Sequence, residues 1–560
     1  MSERTPWWKE ATIYQIYPRS FNDSNGDGVG DIPGIVKKLD YLDELGIDAV
    51  WLSPVYGSPD VDNGYDVSNY REIAEEYGTM ADFDRLLDRL HNRGIKLIMD
   101  LVINHTSDEH EWFVDARQSI ESEYREYYFW RPGNDDMPPN NWRSLWGGSA
   151  WTHDEATGEH YLHLFHEKQA DLDWDNPDVR EDLFDIANWW LDKGIDGFRL
   201  DSINLISKPD GLPDADLKEG LTGLNVVANG PQVAEHLQEF CRRTTGKHDA
   251  VTIGEMPELS VEEARRYVGD DDENLSMLLN FEHVELDRGT GARWAARDWT
   301  LPELKEVVNR WQRGLEGEGW QGIYFNNHDQ PRAVSRLGDD ETYRRESATM
   351  LATMIFTLRG TPLLYQGEEI GMTNPRFESF DEIRDIATIR SVEHAVETSA
   401  ISDFEEVKDL INARTRDNAR TPMQWSDASN GGFTNGDPWI KVNDDYKDVN
   451  VTSERDHPNS IWAHYRDLIA LRDQHSVLVY GKFRLLLPDH PQIFSYLRTL
   501  DDERILVVLN FSAETATFRV PDAVEYEESE VLSHNGVRDD PSSLAGTDLE
   551  PYEAGIYRLL

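Results

Sequence analysis

Three segments of this chain repeat one pattern, an amphipathic helix followed by Gly-Ile and a short apolar run: Leu45-Gly46-Ile47, Arg93-Gly94-Ile95 and Lys193-Gly194-Ile195. Ahead of the first, Ile35, Leu39, Leu42 and Leu45 recur at helical spacing, and a glycine there can take the left-handed conformation that ends a helix. The runs that follow, Ala49 to Leu52, Lys96 to Val102 and Gly197 to Leu200, are short and apolar, as parallel strands buried on both faces must be. Similar runs at Ile13 to Tyr17, Val251 to Ile253, Met277 to Phe281, Gly322 to Phe325 and Pro362 to Tyr365 bring the number to eight. Alternating strands and helices also occur in dinucleotide-binding sheets, but no Gly-x-Gly-x-x-Gly follows any of these strands. Eight units predict an α/β fold closed into a (β/α)8 barrel.

Two stretches interrupt the alternation. Residues from His105 to Leu172 are Trp-, Pro- and Gly-rich and too long for a βα loop, so a small inserted domain is expected after the third strand. A second insertion runs from Gly367 to Asn459, after which a helix resumes over Ile461 to Asp473. From Ser476 the pattern changes to alternating strands such as Ile493 to Arg498 and Ile505 to Asn510. The expected organisation is a catalytic barrel over residues 1–104 and 173–475, an inserted domain over 105–172, and a C-terminal antiparallel β-sandwich domain over 476–560.

Charge narrows the range of partners. Lys+Arg total 55 against 107 Asp+Glu, a net charge of −52 spread along the chain, which repels nucleic acid and anionic membranes. Only 14 of the 55 cations are Lys, leaving 55 − 14 = 41 Arg. Replacement of Lys by carboxylates suggests salt adaptation, because at molar salt a Debye length of about 3 Å screens such self-repulsion. The single cysteine, Cys241, cannot form an internal disulfide. Met1 to Glu10 lacks an apolar leader core, and no stretch reaches the ~20 apolar residues of a membrane span, so a cytoplasmic protein is expected. The oligomeric state is not legible.

Active sites of such barrels lie at the C-terminal ends of the strands. The third expected strand ends in Asp100-Leu101-Val102-Ile103-Asn104-His105, the fourth in Gly197-Phe198-Arg199-Leu200-Asp201, the fifth in Ile253-Gly254-Glu255 and the seventh in Asn326-Asn327-His328-Asp329. Stability alone gives little reason to gather so many charges on one rim. These four segments resemble the four sequence regions of the α-amylase family of glycoside hydrolases. Gln169-Ala170-Asp171-Leu172 is similar to the fifth region of its oligo-1,6-glucosidase and α-glucosidase branch. Arg376 to Ser379 and the run from Arg416 to Trp425 resemble that branch too, and the composition resembles a halophilic member.

The resemblance implies Asp201 as nucleophile, Glu255 as general acid/base and Asp329 as the carboxylate stabilising the transition state. Retaining glycosidases hold two carboxyl groups about 5–5.5 Å apart, a spacing that neighbouring strands four and five can supply. Arg199, two residues before Asp201 on the same strand face, is expected to keep Asp201 ionised, while neighbouring carboxylates and burial keep Glu255 protonated. His105 and His328 resemble the ligands of the sugar hydroxyls; a metal site is the rival reading, with no His-x-x-x-His or Cys partner to support it. Asp62 and Tyr65 match residues closing that subsite, Arg416 would pair with Asp62, and Phe165 and Phe281 are candidates for either sugar contacts or core packing.

Asp23, Asn25, Asp27, Val29 and Asp31 place oxygens on alternate residues around Gly26 and Gly28, like the start of an EF-hand loop. A structural Ca2+ or Mg2+ is expected there against the alternative of a solvated acidic loop, and no organic cofactor is expected. The resemblance gives small α-glucosides as substrates. Val directly after the nucleophile goes with α-1,6 cleavage in the family and Thr or Ala with α-1,4; Ser202 is nearer Thr, and Ala170 and Asp173 also depart from the oligo-1,6-glucosidase pattern. The expectation is therefore an exo-acting α-glucosidase for α-1,4-linked substrates such as maltose, with isomaltose, sucrose or trehalose hydrolysis and glucosyl transfer or isomerisation as alternatives. Non-catalytic, membrane-tethered relatives lack the catalytic carboxylates, all three of which are present here.

Overall fold

A computed structural model describes residues 6–133, 137–216, 224–269, 273–289, 294–536, 544 and 546–560. Eight parallel strands form the barrel: β1 (Ile13–Ile16), β2 (Ala49–Leu52), β3 (Lys96–Leu101), β4 (Gly197–Leu200), β5 (Val251–Glu255), β6 (Met277–Leu279), β7 (Gly322–Ile323) and β8 (Thr361–Tyr365). They pair in the order β6-β5-β4-β3-β2-β1-β8-β7, and a parallel bridge between Leu278 and Gln321 joins the two ends. The barrel is closed, as the alternation predicts.

Both strand faces are buried, for different reasons. Ile13, Trp51, Ile98, Ile253, Met277 and Leu363 fill the barrel lumen, while residues of the opposite parity such as Tyr14, Val50, Leu97 and Phe198 pack outward in the main core. The twofold period then sets Gln15, Asp100, Arg199 and Glu255 above this filling, two residues on from Ile13, Ile98, Gly197 and Ile253. Parallel register places Arg199 beside both Asp100 and Ile253. Polarity thus rises toward the C-terminal rim.

Local chemistry places the helices. The helix α1 (Leu39–Leu45) stops at Gly46, whose φ of 91° is left-handed. The next, α2 (Met80–His91), starts at a capping box between Thr79 and Asp82. Asn176 caps α3 (Pro177–Lys193), and Gly194, with φ 110°, ends it.

The segment after β3 leaves and returns as an antiparallel ribbon, His105–Ser107 against Gln169–Asp171, with His105 opposite Asp171. Between them a three-stranded sheet (Trp130–Arg131, Glu159–Leu162, Trp151–Asp154) and a cluster including Phe129, Trp142, Trp151 and Leu164 fold over Leu205 at the barrel top. The segment after β8 carries helices α4 (Ile386–Glu397), α5 (Lys408–Arg414) and α6 (Asp417–Arg420) around Phe377, Phe404 and Ile411. The barrel ends with α7 (Ile461–Gln474).

The chain does not pass directly into strands at Ser476. A further helix, Ser476–Tyr480, intervenes, because Arg472 and Arg498 both donate to the Leu478 carbonyl at 3.0 and 2.8 Å and hold this apolar run in a helical turn. The terminal domain then forms an antiparallel five-stranded sheet in the order Lys482–Leu486, Ile493–Leu500, Glu503–Asn510, Ala554–Leu559, Ser529–His534, with a two-stranded ladder of Ala516–Phe518 and Thr547–Leu549 beside it. Among the described residues no helix is long and apolar enough to cross a membrane.

Candidate active site

One guanidinium organises the barrel rim. Arg199, fully buried, donates from Nη1 to Asp100 Oδ1 and Asp201 Oδ1, each at 2.7 Å, and its Nη2 lies 2.5 Å from Glu255 Oε1. Enclosing a lone cation here would cost several kcal/mol; three carboxylates offset that cost, so the charges hold one another in place. Asp100 is fixed from the far side by Tyr65 Oη at 2.9 Å and Trp51 Nε1 at 3.2 Å. Ser202 turns the chain sharply after β4 with a left-handed φ of 43°, which aims its N–H at Glu255 Oε2, 3.1 Å away.

Burial governs the proton affinities. Loss of water raises Asp201 to about 6, with Arg199 opposing the rise and Asp100 and Asp329 adding to it. Arg199 thus pulls toward the ionised form, as its place two residues before Asp201 suggests, but desolvation outweighs it and leaves Asp201 above the ordinary carboxylate value. Glu255 rises further, to about 7, again through burial opposed by Arg199 and reinforced by Asp201 and Asp329. Glu255 is thus the weaker acid of the two.

Above this floor opens a cavity of about 190 Å3 lined by Asp201, Glu255 and Asp329 together with Asp62, Tyr65, His105, Phe165, Phe281 and Arg416. All of the sequence-selected sugar-site residues lie on its wall except Arg199 and His328, which sit beneath it. At one end Arg416 Nη2 meets Asp62 Oδ1 at 3.0 Å, and its guanidinium also reaches Asp385 at 2.7 Å and Asp329 at 3.4 Å. Arg420 holds Asp329 at 2.7 Å. His328 is stacked against Tyr65, ring centroids 5.1 Å apart, and accepts from Gln15 Nε2 at Nδ1. Burial depresses its pKa to about 3, so the ring is neutral and carries its proton on Nε2. His105, likewise held neutral by burial, has Nε2 2.9 Å from the Tyr65 carbonyl and faces Phe165 at 5.1 Å. Phe281 combines both readings offered for it, lining the cavity while packing on the lumen cluster.

Asp100, Asp385, Arg420, Gln169 and Trp146 were not singled out by sequence reasoning. Asp100, Gln169 and Arg420 stood inside the motif strings, where position and role could have been read together; Asp385 and Trp146 lie in the insertions and gave no signal.

In the acidic loop, Asp23 accepts from the N–H groups of Asn25, Gly26 and Gly28 at 2.7–2.9 Å, and Asp27 accepts from Val29. Asp31 caps the following helix through Gly34 N at 2.6 Å and accepts from Ser24. The loop is thus preformed by its own backbone donors. Among the described residues no three of His, Cys, Asp and Glu are clustered to hold a metal ion, so a cation would draw on the Asn25 amide and backbone carbonyls beside Asp23 and Asp27.

Residues 15–481 match the model of the α-amylase catalytic domain, and residues 483–556 that of the maltogenic amylase C-terminal domain. An oligo-1,6-glucosidase of Parageobacillus thermoglucosidasius is 52% identical over 556 residues, 99% of each chain. A trehalose-6-phosphate hydrolase of Bacillus subtilis is 45% identical over 100% of this chain and 99% of its own. Among solved structures, a trehalulose synthase mutant in complex with Tris has a TM-score of 0.96 at 42% identity, covering 99% of this chain and 100% of that one. Fold, rim carboxylates and these likenesses define a glycoside hydrolase acting on α-glucosides. The chain belongs to the α-amylase family, in the branch of the oligo-1,6-glucosidases and trehalose-6-phosphate hydrolases.

Proposed function

We propose that the enzyme is a retaining, exo-acting α-glucosidase that removes the terminal non-reducing glucose from short α-1,6-linked oligosaccharides such as isomaltose. The observation that carries this reading is the joint seating of Asp201 and Glu255 on Arg199 at the floor of a cavity whose end is closed by the Asp62–Arg416 pair. Asp201, with Oδ1 held by Arg199, attacks the anomeric carbon through its other oxygen, while Glu255 protonates the glycosidic oxygen. Glu255, now a base, then deprotonates the water that releases glucose from the glycosyl-Asp201 ester, and two inversions restore the α-anomer. Asp329, His105, His328 and Arg416 bind the hydroxyls of the same glucose.

The named relatives support α-1,6 cleavage over the α-1,4 preference expected from Ser202. A physical reason lies in that residue's setting: its Oγ is turned toward Glu255 Oε2 at 3.4 Å, so its likeness to Thr says less about the leaving sugar than sequence implies. A phosphorylated disaccharide is the poorer fit, since Glu258 and Glu285 line the cavity and Arg288 is already paired with Glu285. Comparing kcat/KM on isomaltose, maltose, sucrose and trehalose tests the linkage; a preference for maltose would reverse it. Proton NMR of the first-formed glucose tests the stereochemistry, and β-glucose would remove retention.

The acidic loop is proposed to bind Ca2+ or Mg2+, bracing the first βα connection without entering the chemistry. Chelator should lower the melting temperature and added Ca2+ restore it; a melting curve indifferent to both refutes the site.

A further inference from the structure

A second cavity, of about 270 Å3, lies directly against the first, between the inserted segment and α4. Trp146 and Phe165 line both. Trp146 lines both spaces yet is only 4% exposed. Phe165 stands beside it with ring centroids 5.8 Å apart, and the Arg416 guanidinium lies 5.4 Å from the indole. The partition therefore adjoins the Asp62–Arg416 end of the catalytic cavity, the end that receives the non-reducing hydroxyls.

The far cavity has fixed walls. Arg390 on α4 reaches across to Glu167 Oε1 at 2.9 Å and His166 Nε2 at 3.2 Å, and Ser391 Oγ donates to the Trp146 carbonyl at 3.4 Å. These contacts tie the inserted segment to α4 independently of the indole. Its lining sets Ser144, Thr152, His163 and the carboxylates Glu393 and Glu397 beside the aromatic rings, acceptors and apolar faces of the kind that bind sugar hydroxyls and ring faces.

We propose that Trp146, packed behind Arg416 of the closing Asp62–Arg416 pair, completes the partition that limits the substrate to one glucosyl unit on the non-reducing side, and that the open cavity behind it is a latent subsite for a second glucosyl unit. The inference rests on the exo-glucosidase reading above. Removal of the indole joins two cavities that already exist, so the bound chain can extend through the wall and be cut one unit further in.

The test uses p-nitrophenyl α-isomaltoside with the full-length enzyme, first products being separated by chromatography. The unaltered enzyme and Trp146→Phe should release glucose first. Trp146→Ala should release intact isomaltose together with p-nitrophenol, and adding His394→Trp, which refills the far cavity, should abolish the isomaltose. A folded Trp146→Ala protein, verified by circular dichroism, that releases glucose alone or nothing overturns the proposal. If that variant does not fold, Phe165→Ala opens the other half of the partition and is judged by the same products. Failure of the unaltered enzyme to release terminal glucose from any substrate would instead remove the exo reading itself.

Discussion

The working protonation states of Asp201 and Glu255 are set by the balance between one shared guanidinium and the loss of water around all three groups. The proposed productive form has Asp201 ionised and Glu255 protonated. Because burial raises Asp201 to about 6 and Glu255 to about 7, kcat/KM should climb as pH rises through the first value and fall as it passes the second, a narrow bell. The two limbs belong to the coupled pair, not to isolated residues. Glu255→Gln keeps the shape but cannot donate a proton; it should lose about 10²–10⁴-fold on natural glycosides. On an activated glucosyl fluoride, whose leaving group needs no proton, its limb near 7 should vanish from the first step. Persistence of that limb would falsify the assignment of Glu255. Motif spacing made these carboxylates legible, because chemistry dictates their residue types. Asp385 was invisible for the opposite reason: its place beside Arg416, 31 residues away, is created by the fold of an insertion that carries no repeating pattern.

Helix ends carry the register of the barrel, and Gly194 is the clearest case. It closes α3 with φ 110° and ψ 13°, just before β4 delivers Arg199 and Asp201. A Cβ placed there would meet only Leu87 Cδ2, at 3.7 Å, an ordinary contact. The cost of Gly194→Ala is therefore backbone strain alone, about 1–2 kcal/mol, and should appear in thermal unfolding as a lower melting temperature with kcat little changed. An unaltered melting temperature would show that the helix end relaxes freely. All eight strands were legible because burial on both faces leaves runs of apolar residues that few other structures need. Their C-terminal limits were less so: β6 ends at Leu279 and β7 at Ile323, each two residues before the expected limit, because the apolar run outlasts the ladder, Phe281 and Tyr324 packing on the lumen cluster and Phe325 in the main core. The helix Ser476–Tyr480 is hidden within the expected β domain, since the arginines that bend it are Arg472, just before it, and Arg498 on a later strand.

At the scale of the whole molecule, a charge of −52 makes the folded state an electrostatic load whose size depends on the solvent. Exposed carboxylates repel across a Debye length of about 10 Å at 0.1 M salt and about 3 Å at 1 M. Unfolding separates these charges, so dilute buffer favours the unfolded chain and concentrated salt the compact one. The melting temperature should therefore rise steeply between about 0.1 and 1 M NaCl, the interval over which screening shortens to contact distance. Equal effects of NaCl, KCl and choline chloride would mark screening as the cause, whereas a response to one cation alone would mark a bound ion. The Arg199 cluster is enclosed and is screened much less than the surface. Salt should thus move stability far more than it moves the pH bell of kcat/KM. A melting temperature indifferent to ionic strength would show that the acidic surface is not a salt adaptation, and a bell that shifts in step with stability would show that the rim carboxylates feel solvent directly.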